Sequence, residues 1–191
     1  MRRHSIKLCT LTSAFAASLA AVAAAQPAKT SASHPGVQEY CNAQYMYCVA
    51  LPDSGKVQPH EGDAPNHGVT IKLPEPGGVA WTYAHWDAAL LASPQKAALG
   101  QLEVVLNKHP NAEVNMKPTV VAGLPAYRIR LTYADIRPTI EEVIVAYRRP
   151  KDEPQGPGII YEIGLNSSQI GYSVNVSTLD ALARSFRQTR E

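Results

Sequence analysis

Three strand-like segments follow one another in the second half of the chain with no helix-patterned stretch between them, and this constrains the fold most. Residues 126–134 (AYRIRLTYA) alternate: Tyr127, Ile129, Leu131 and Tyr133 fall on one side, Arg128, Arg130 and Thr132 on the other. Residues 139–149 (TIEEVIVAYRR) and 158–165 (GIIYEIGL) are rich in β-branched and aromatic side chains. Side chains alternate across a strand, so a period of two marks a half-buried sheet. Parallel neighbours need a long crossover, whereas antiparallel ones need only a turn. Successive strands therefore predict antiparallel pairing, and the clean alternation predicts one sheet face less fully covered than the other.

The first half supplies further elements. Residues 45–51 (YMYCVAL), 69–73 (VTIKL) and 79–86 (VAWTYAHW) read as strands, and the polar stretch 58–68 (QPHEGDAPNHG) between the first two reads as a loop. Residues 86–92 suggest a short helical turn leading into a longer helix. Ser93 and Pro94 start that helix. Leu99, Leu102, Val105 and Leu106 form its apolar face, and His109, Pro110 and Asn111 end it. Ser177 or Thr178 caps a last helix with the stripe Leu179, Leu182, Ala183 and Phe186. Such a series is buried most economically as an α+β fold, an antiparallel β-sheet flanked by helices.

The N-terminus reads as an export signal. Arg2, Arg3 and Lys7 precede an uncharged run, residues 8–25, that closes on Ala23, Ala24 and Ala25. Residues 1–25 are therefore expected to be removed, residues 26–40 to form a flexible leader, and residues 41–191 a single α+β domain. The signal holds three of the 18 basic residues and none of the 16 acidic ones. What remains is close to neutral, which argues against nucleic acid or an anionic membrane as partner. No membrane anchor is expected after cleavage, and the location is periplasmic or secreted.

Two cysteines remain, Cys41 and Cys48. A strand would hold their Cα atoms about 23 Å apart and a helix about 10 Å. A disulfide needs roughly 4.4–6.8 Å. In an oxidising compartment they are expected to pair, with the chain reversing near Asn42, Ala43 and Gln44.

The run Gly123-Leu124-Pro125-Ala126-Tyr127-Arg128 opens a long strand pair. Ile160-Tyr161-Glu162-Ile163 follows, and Leu179-Asp180 with Ser185-Phe186-Arg187 closes the chain. Together these resemble the PsbP-like group of α/β/α sandwich domains over residues 45–188. The resemblance implies a central antiparallel sheet between helices and mainly non-catalytic roles in binding other proteins. It brings no shared catalytic residues. The cysteine-bearing start and the loop at Asn66, His67 and Gly68 depart from the pattern.

The residue types that do chemistry are present but not in an organised motif. His60, Glu61, Asp63, His67, His85 and Asp87 are the best metal or general-base material, yet their spacing fits no metal motif, and turn chemistry explains the loop. Ser167 and Ser168 follow a strand end without a nearby histidine. Trp81, Tyr83 and Trp86 are aromatic residues able to stack on a ligand or pack a core. Arg128 and Arg130 are expected to pair across strands with Glu141, Glu142 or Glu162. The reading is an exported non-enzymatic domain that binds another protein, with no metal and no cofactor, and with Trp81, Tyr83, His67 and His85 as candidate binding residues. The alternatives are a small hydrolase or metal-dependent enzyme built from the 60–87 region, and a sugar-binding module.

Overall fold

The structure, a computed structural model, describes residues 38–59, 67–134, 137–149 and 156–189. The expected signal, residues 1–25, lies outside the described residues, as does the leader up to residue 37. The chain runs β1 (Glu39–Asn42), β2 (Tyr47–Ala50), β3 (Lys56–Pro59), β4 (Gly68–Leu73), β5 (Gly78–Trp86), α1 (Pro94–Lys108), β6 (Glu113–Val121), β7 (Leu124–Ala134), β8 (Pro138–Arg148), β9 (Ile159–Ser168), α2 (Gln169–Ser185) and β10 (Arg187–Gln188).

Seven strands form one antiparallel sheet in the order β3-β4-β5-β9-β8-β7-β6, and β1-β2-β10 form a second. α1 packs on β7 and β8, while α2 packs on β9, β5 and β8 and against β2. The two helices use opposite faces. Ile129, Leu131, Val143, Val145 and Ile160 meet Ala97, Ala98 and Val105 of α1 on one face. Ile144, Tyr161, Ile163 and Leu165 meet Leu179 and Leu182 of α2, with Tyr47 and Val49 of the small sheet, on the other. Each helix is offset to its own side. The α2 face of β6 and β7 and the α1 face of β3 and β4 therefore carry the polar halves of their alternation.

The cysteines fall opposite one another in the β1–β2 hairpin and are joined, with Cα atoms 4.1 Å apart. The Leu51 N–H donates to the Gln38 carbonyl. Hydrogen-bonded pairs recur every second residue, so Cys41↔Cys48 is a non-hydrogen-bonded pair, where antiparallel side chains come closest. The reversal occupies residues 43–46, and β1 begins at Glu39 with Tyr40 already buried. Tyr47 stacks on Phe186 at 5.5 Å and meets Tyr161 edge-on at 5.7 Å, which fixes the hairpin to the sheet and to the end of α2.

Several sequence expectations change. Ser93 caps α1 by accepting the Lys96 N–H, as expected, but Leu99 is exposed and Ala97 and Ala98 are buried in its stead. Small side chains let α1 approach the sheet closely. Residues 86–92 form no helical turn. The Asp87 carboxylate accepts the N–H groups of Leu91 and Ala92 and holds that segment in an irregular path. α2 starts not at Ser177 or Thr178 but about two and a half turns earlier, capped by Ser168, which accepts the Gly171 N–H. β1, β3, β6 and β10 add to the expected strands. β6 does alternate, but Pro118 inside the run reads against a strand and is accommodated here because β6 is an edge strand.

Candidate functional site

The structure gathers three of the sequence-nominated binding residues and separates the fourth. His67 precedes β4 and lies between Tyr45 and Tyr83, with ring centroids 5.4 and 4.9 Å away. Tyr83 continues to His85 at 5.6 Å, and Trp86 leans on Tyr45 at 5.9 Å. His67 Nδ1 lies 2.8 Å from the Ala84 carbonyl and 3.1 Å from the Tyr45 hydroxyl. A carbonyl only accepts, so the proton of the neutral ring sits on Nδ1. His85 Nε2 is 3.4 Å from Glu162 Oε1. That hydrogen bond, and after it the Glu162 charge, hold the His85 pKa above its usual value against the opposing effect of burial. Trp81 stands apart. It packs over Gly164, where an added Cβ would lie 2.1 Å from the indole, and joins the cluster under α1. It serves as core.

The remaining nominated chemistry is engaged in structure where it is described. Asp87 is buried, and besides the two backbone N–H groups it accepts the Tyr147 hydroxyl at 3.2 Å. Ser167 donates to the Gly77 carbonyl at 2.6 Å, and Ser168 is the cap of α2. His60, Glu61 and Asp63 lie outside the described residues. Among the described residues one trio of metal-ligating types gathers, Glu39, Cys41 and Cys48, and its sulfurs are joined to each other. No helix among the described residues is long and apolar enough to cross a membrane.

A second site was only half legible. On the α2 face, the register sets Asn115 beside Arg130 beside Glu142, and Lys117 beside Arg128 in the next row. These five side chains line a cleft of about 200 Å³. The Glu142 carboxylate is 1% exposed and forms its floor. It accepts from Arg128 Nε, from Arg130 Nε at 2.5 Å and from the Tyr172 hydroxyl of α2. Arg128 Nη1 reaches Asp180 at 2.9 Å, and Arg130 Nη2 donates to the Tyr172 hydroxyl at 2.6 Å with its guanidinium 5.0 Å above the ring. Burial would raise the Glu142 pKa; the three hydrogen bonds and the Arg128 charge outweigh it and hold the group below the usual carboxylate value. Burial, the hydrogen bond to Glu142 and its charge push Tyr172 up to about 12. Glu142 is thus a fixed anion under three cations, two of which, Lys117 and Arg130, are exposed. The expected arginine–glutamate pairing resolves to Glu142 alone. Glu141 instead binds Tyr133 and Asn166 on the opposite face, and Glu162 binds His85. Asn115 and Lys117 were missed because β6 was not recognised as a strand.

No family model and no curated protein sequence matches this chain. Solved structures do. The chain is similar to LpqN of Mycobacterium tuberculosis, a protein involved in cell envelope biogenesis, at TM-score 0.55 and 12% identity, covering 75% of this chain and 83% of that one. It is similar to the cyanobacterial PsbP (CyanoP) of Synechocystis sp. PCC 6803 at TM-score 0.57 and 15% identity, covering 80% and 92%. It is also similar to the Ran-binding protein Mog1p of Saccharomyces cerevisiae at TM-score 0.51 and 9% identity, covering 80% and 95%. With its seven-stranded antiparallel sheet held between α1 and α2, this chain has the PsbP-like fold.

Proposed function

We propose that the protein is an exported, non-enzymatic domain that binds another protein, as an inhibitor, immunity-type, assembly or chaperone-like factor. The observation that carries this reading is the disposition of its polar groups. Among the described residues, candidate reactive groups are tied to structural partners: Asp87 to a loop backbone, Ser167 to a carbonyl, Glu142 to two guanidiniums and a phenol. Those on display, Asn115, Lys117 and Arg130, lie together along an open sheet margin. A nucleophile needs a base within hydrogen-bond reach, whereas a binding surface needs groups fixed from behind and open in front. The similar structures support the reading, since one binds Ran and another is involved in envelope biogenesis. The hairpin disulfide and the signal-like residues 1–25 support export.

The test is retention from an envelope extract on the immobilised, disulfide-bonded chain, with mass spectrometry of what stays bound. The expected result is one or a few proteins retained near stoichiometry and released by salt. Retention of nothing, together with turnover of ester or phosphoester model substrates, would replace this reading with the hydrolase one.

A further inference from the structure

Among the described residues β6 is the last strand of the large sheet and pairs with β7 alone. Its two faces differ in kind. Val114, Met116, Pro118 and Val120 lie on the α1 face; Glu113, Asn115, Lys117 and Thr119 lie on the α2 face beside the arginines. Val114 is 41% exposed and Val120 67%. Half of a strand's side chains being apolar and exposed, at an edge, is the property that natural sheets suppress unless something covers it.

The backbone of that edge can be read from the turn. Ala122 and Gly123 both have positive φ, 49° and 78°, so they form a two-residue type I′ connection. Such a turn closes on a hydrogen-bonded pair, here Val121↔Leu124. The odd-numbered residues of β6 therefore bond to β7, and the even-numbered ones turn their N–H and C=O groups outward. Pro118, which has no N–H, falls in the outward set, where its missing donor costs the β7 ladder nothing. It interrupts the outward donors and leaves Val114 and Met116 as an unbroken stretch.

We propose that the outer edge of β6 over residues 113–117 is a strand-addition site for an extended segment of a partner protein in which apolar and acidic residues alternate. The partner backbone pairs with the outward groups of Val114 and Met116. Its apolar side chains fall beside those two residues. Its carboxylates fall on the opposite face, about 4.8 Å from the Asn115 and Lys117 row and with Arg130 behind. Charge complementarity selects this occupant. Lys117, Arg128 and Arg130 face two carboxylates, Glu142 and Asp180, both already engaged by the arginines, and Glu113 at the start of the segment is the one acidic side chain of the β6 row. Neither Asn115 nor Lys117 forms a side-chain hydrogen bond with another described residue. A second copy of β6, added antiparallel about its centre, would bring Lys117 toward Lys117, and like charges on neighbouring strands repel.

The inference rests on the protein-binding reading above and names the surface and partner chemistry that reading leaves open. The probe is an eight-residue synthetic peptide alternating valine and glutamate, compared with one alternating valine and lysine, each added to the full disulfide-bonded chain. Binding is read by fluorescence anisotropy and residue-resolved amide hydrogen exchange. The glutamate peptide is expected to bind, to slow exchange at Val114 and Met116, and to lose at least about tenfold in affinity in Lys117→Glu. Val114→Pro removes one outward donor without touching the β7 ladder and is expected to weaken binding while the melting transition stays cooperative. The proposal is overturned if the glutamate peptide does not bind, if the lysine peptide binds as well, or if exchange slows elsewhere. A partner retained from the envelope through another surface would likewise overturn it and leave the protein-binding reading standing.

Discussion

Glutamine in place of Glu142 tests whether the cleft is built on a fixed anion. Glu142→Gln keeps the shape of the side chain and deletes the charge that two guanidiniums and the Tyr172 hydroxyl converge on. Breaking a fully buried ion pair costs about 3–5 kcal/mol. Here the arginines are not fully buried: their side chains are 32% and 50% exposed, so water recovers part of their solvation. About 2–3 kcal/mol remains, in line with the loss of charge-assisted hydrogen bonds. For a domain of this size that is a fall of about 4–12 °C in melting temperature. The Glu142 pKa lies below its ordinary value of 4.5 in the folded chain. A depressed carboxylate contributes stability that is present above the unfolded pKa and lost as pH falls through the folded one. Urea unfolding of parent and variant from neutral pH downward should therefore show the full gap near neutrality and a shrinking gap once the pH passes below 4.5. Equal stability at neutral pH, or a gap that widens in acid, would refute the reasoning.

Thiol labelling of the unfolded, unreduced chain from residue 26 onward should find no reactive thiol; Cys41→Ser with Cys48→Ser should cost about 2.5 kcal/mol by the entropic model and leave the fold intact by circular dichroism. Asp87→Asn should cost about 2–3 kcal/mol in urea unfolding, because a buried amide cannot serve two N–H groups and a phenol as the carboxylate does. The His85 ring should titrate above 6.5 by NMR and move down in Glu162→Gln. The sign is that of a raised folded pKa, so this pair's contribution to stability is complete below the unfolded value and lost as pH rises through the folded one.

How much was legible in advance follows from which signals are local. The β7–β8–β9 series carried its own period of two and two buried faces, so sheet, pairing and the arginine alternation could be read directly. Ser93-Pro94 marked the start of α1 because capping is chemistry of neighbours in sequence. The start of α2 was missed because Ile170, Tyr172, Val174 and Val176 recur at every second position, a strand-like period; the residues turned inward are Gly171, Tyr172 and Asn175, and Asn175 donates to the distant Gly77 carbonyl. β6 was missed although residues 113–120 alternate, because Pro118 inside the run argues against a strand and is tolerated only at a sheet edge. That omission hid Asn115 and Lys117, which reach the cleft only through the register with β7. The cysteine spacing was informative because a covalent bond demands a distance that only a reversal supplies.

The central claim, that this is a binding domain that meets a protein partner along the edge of the large sheet, is tested most directly by photo-crosslinking in the cell that makes it. A photo-reactive phenylalanine analogue replaces Val120 on the exposed sheet edge and, in a control, Leu99 on the outer face of α1. The account predicts a discrete adduct with one other protein from position 120 and none from position 99. No adduct from the sheet edge, or the same diffuse ladder from both positions, would contradict it.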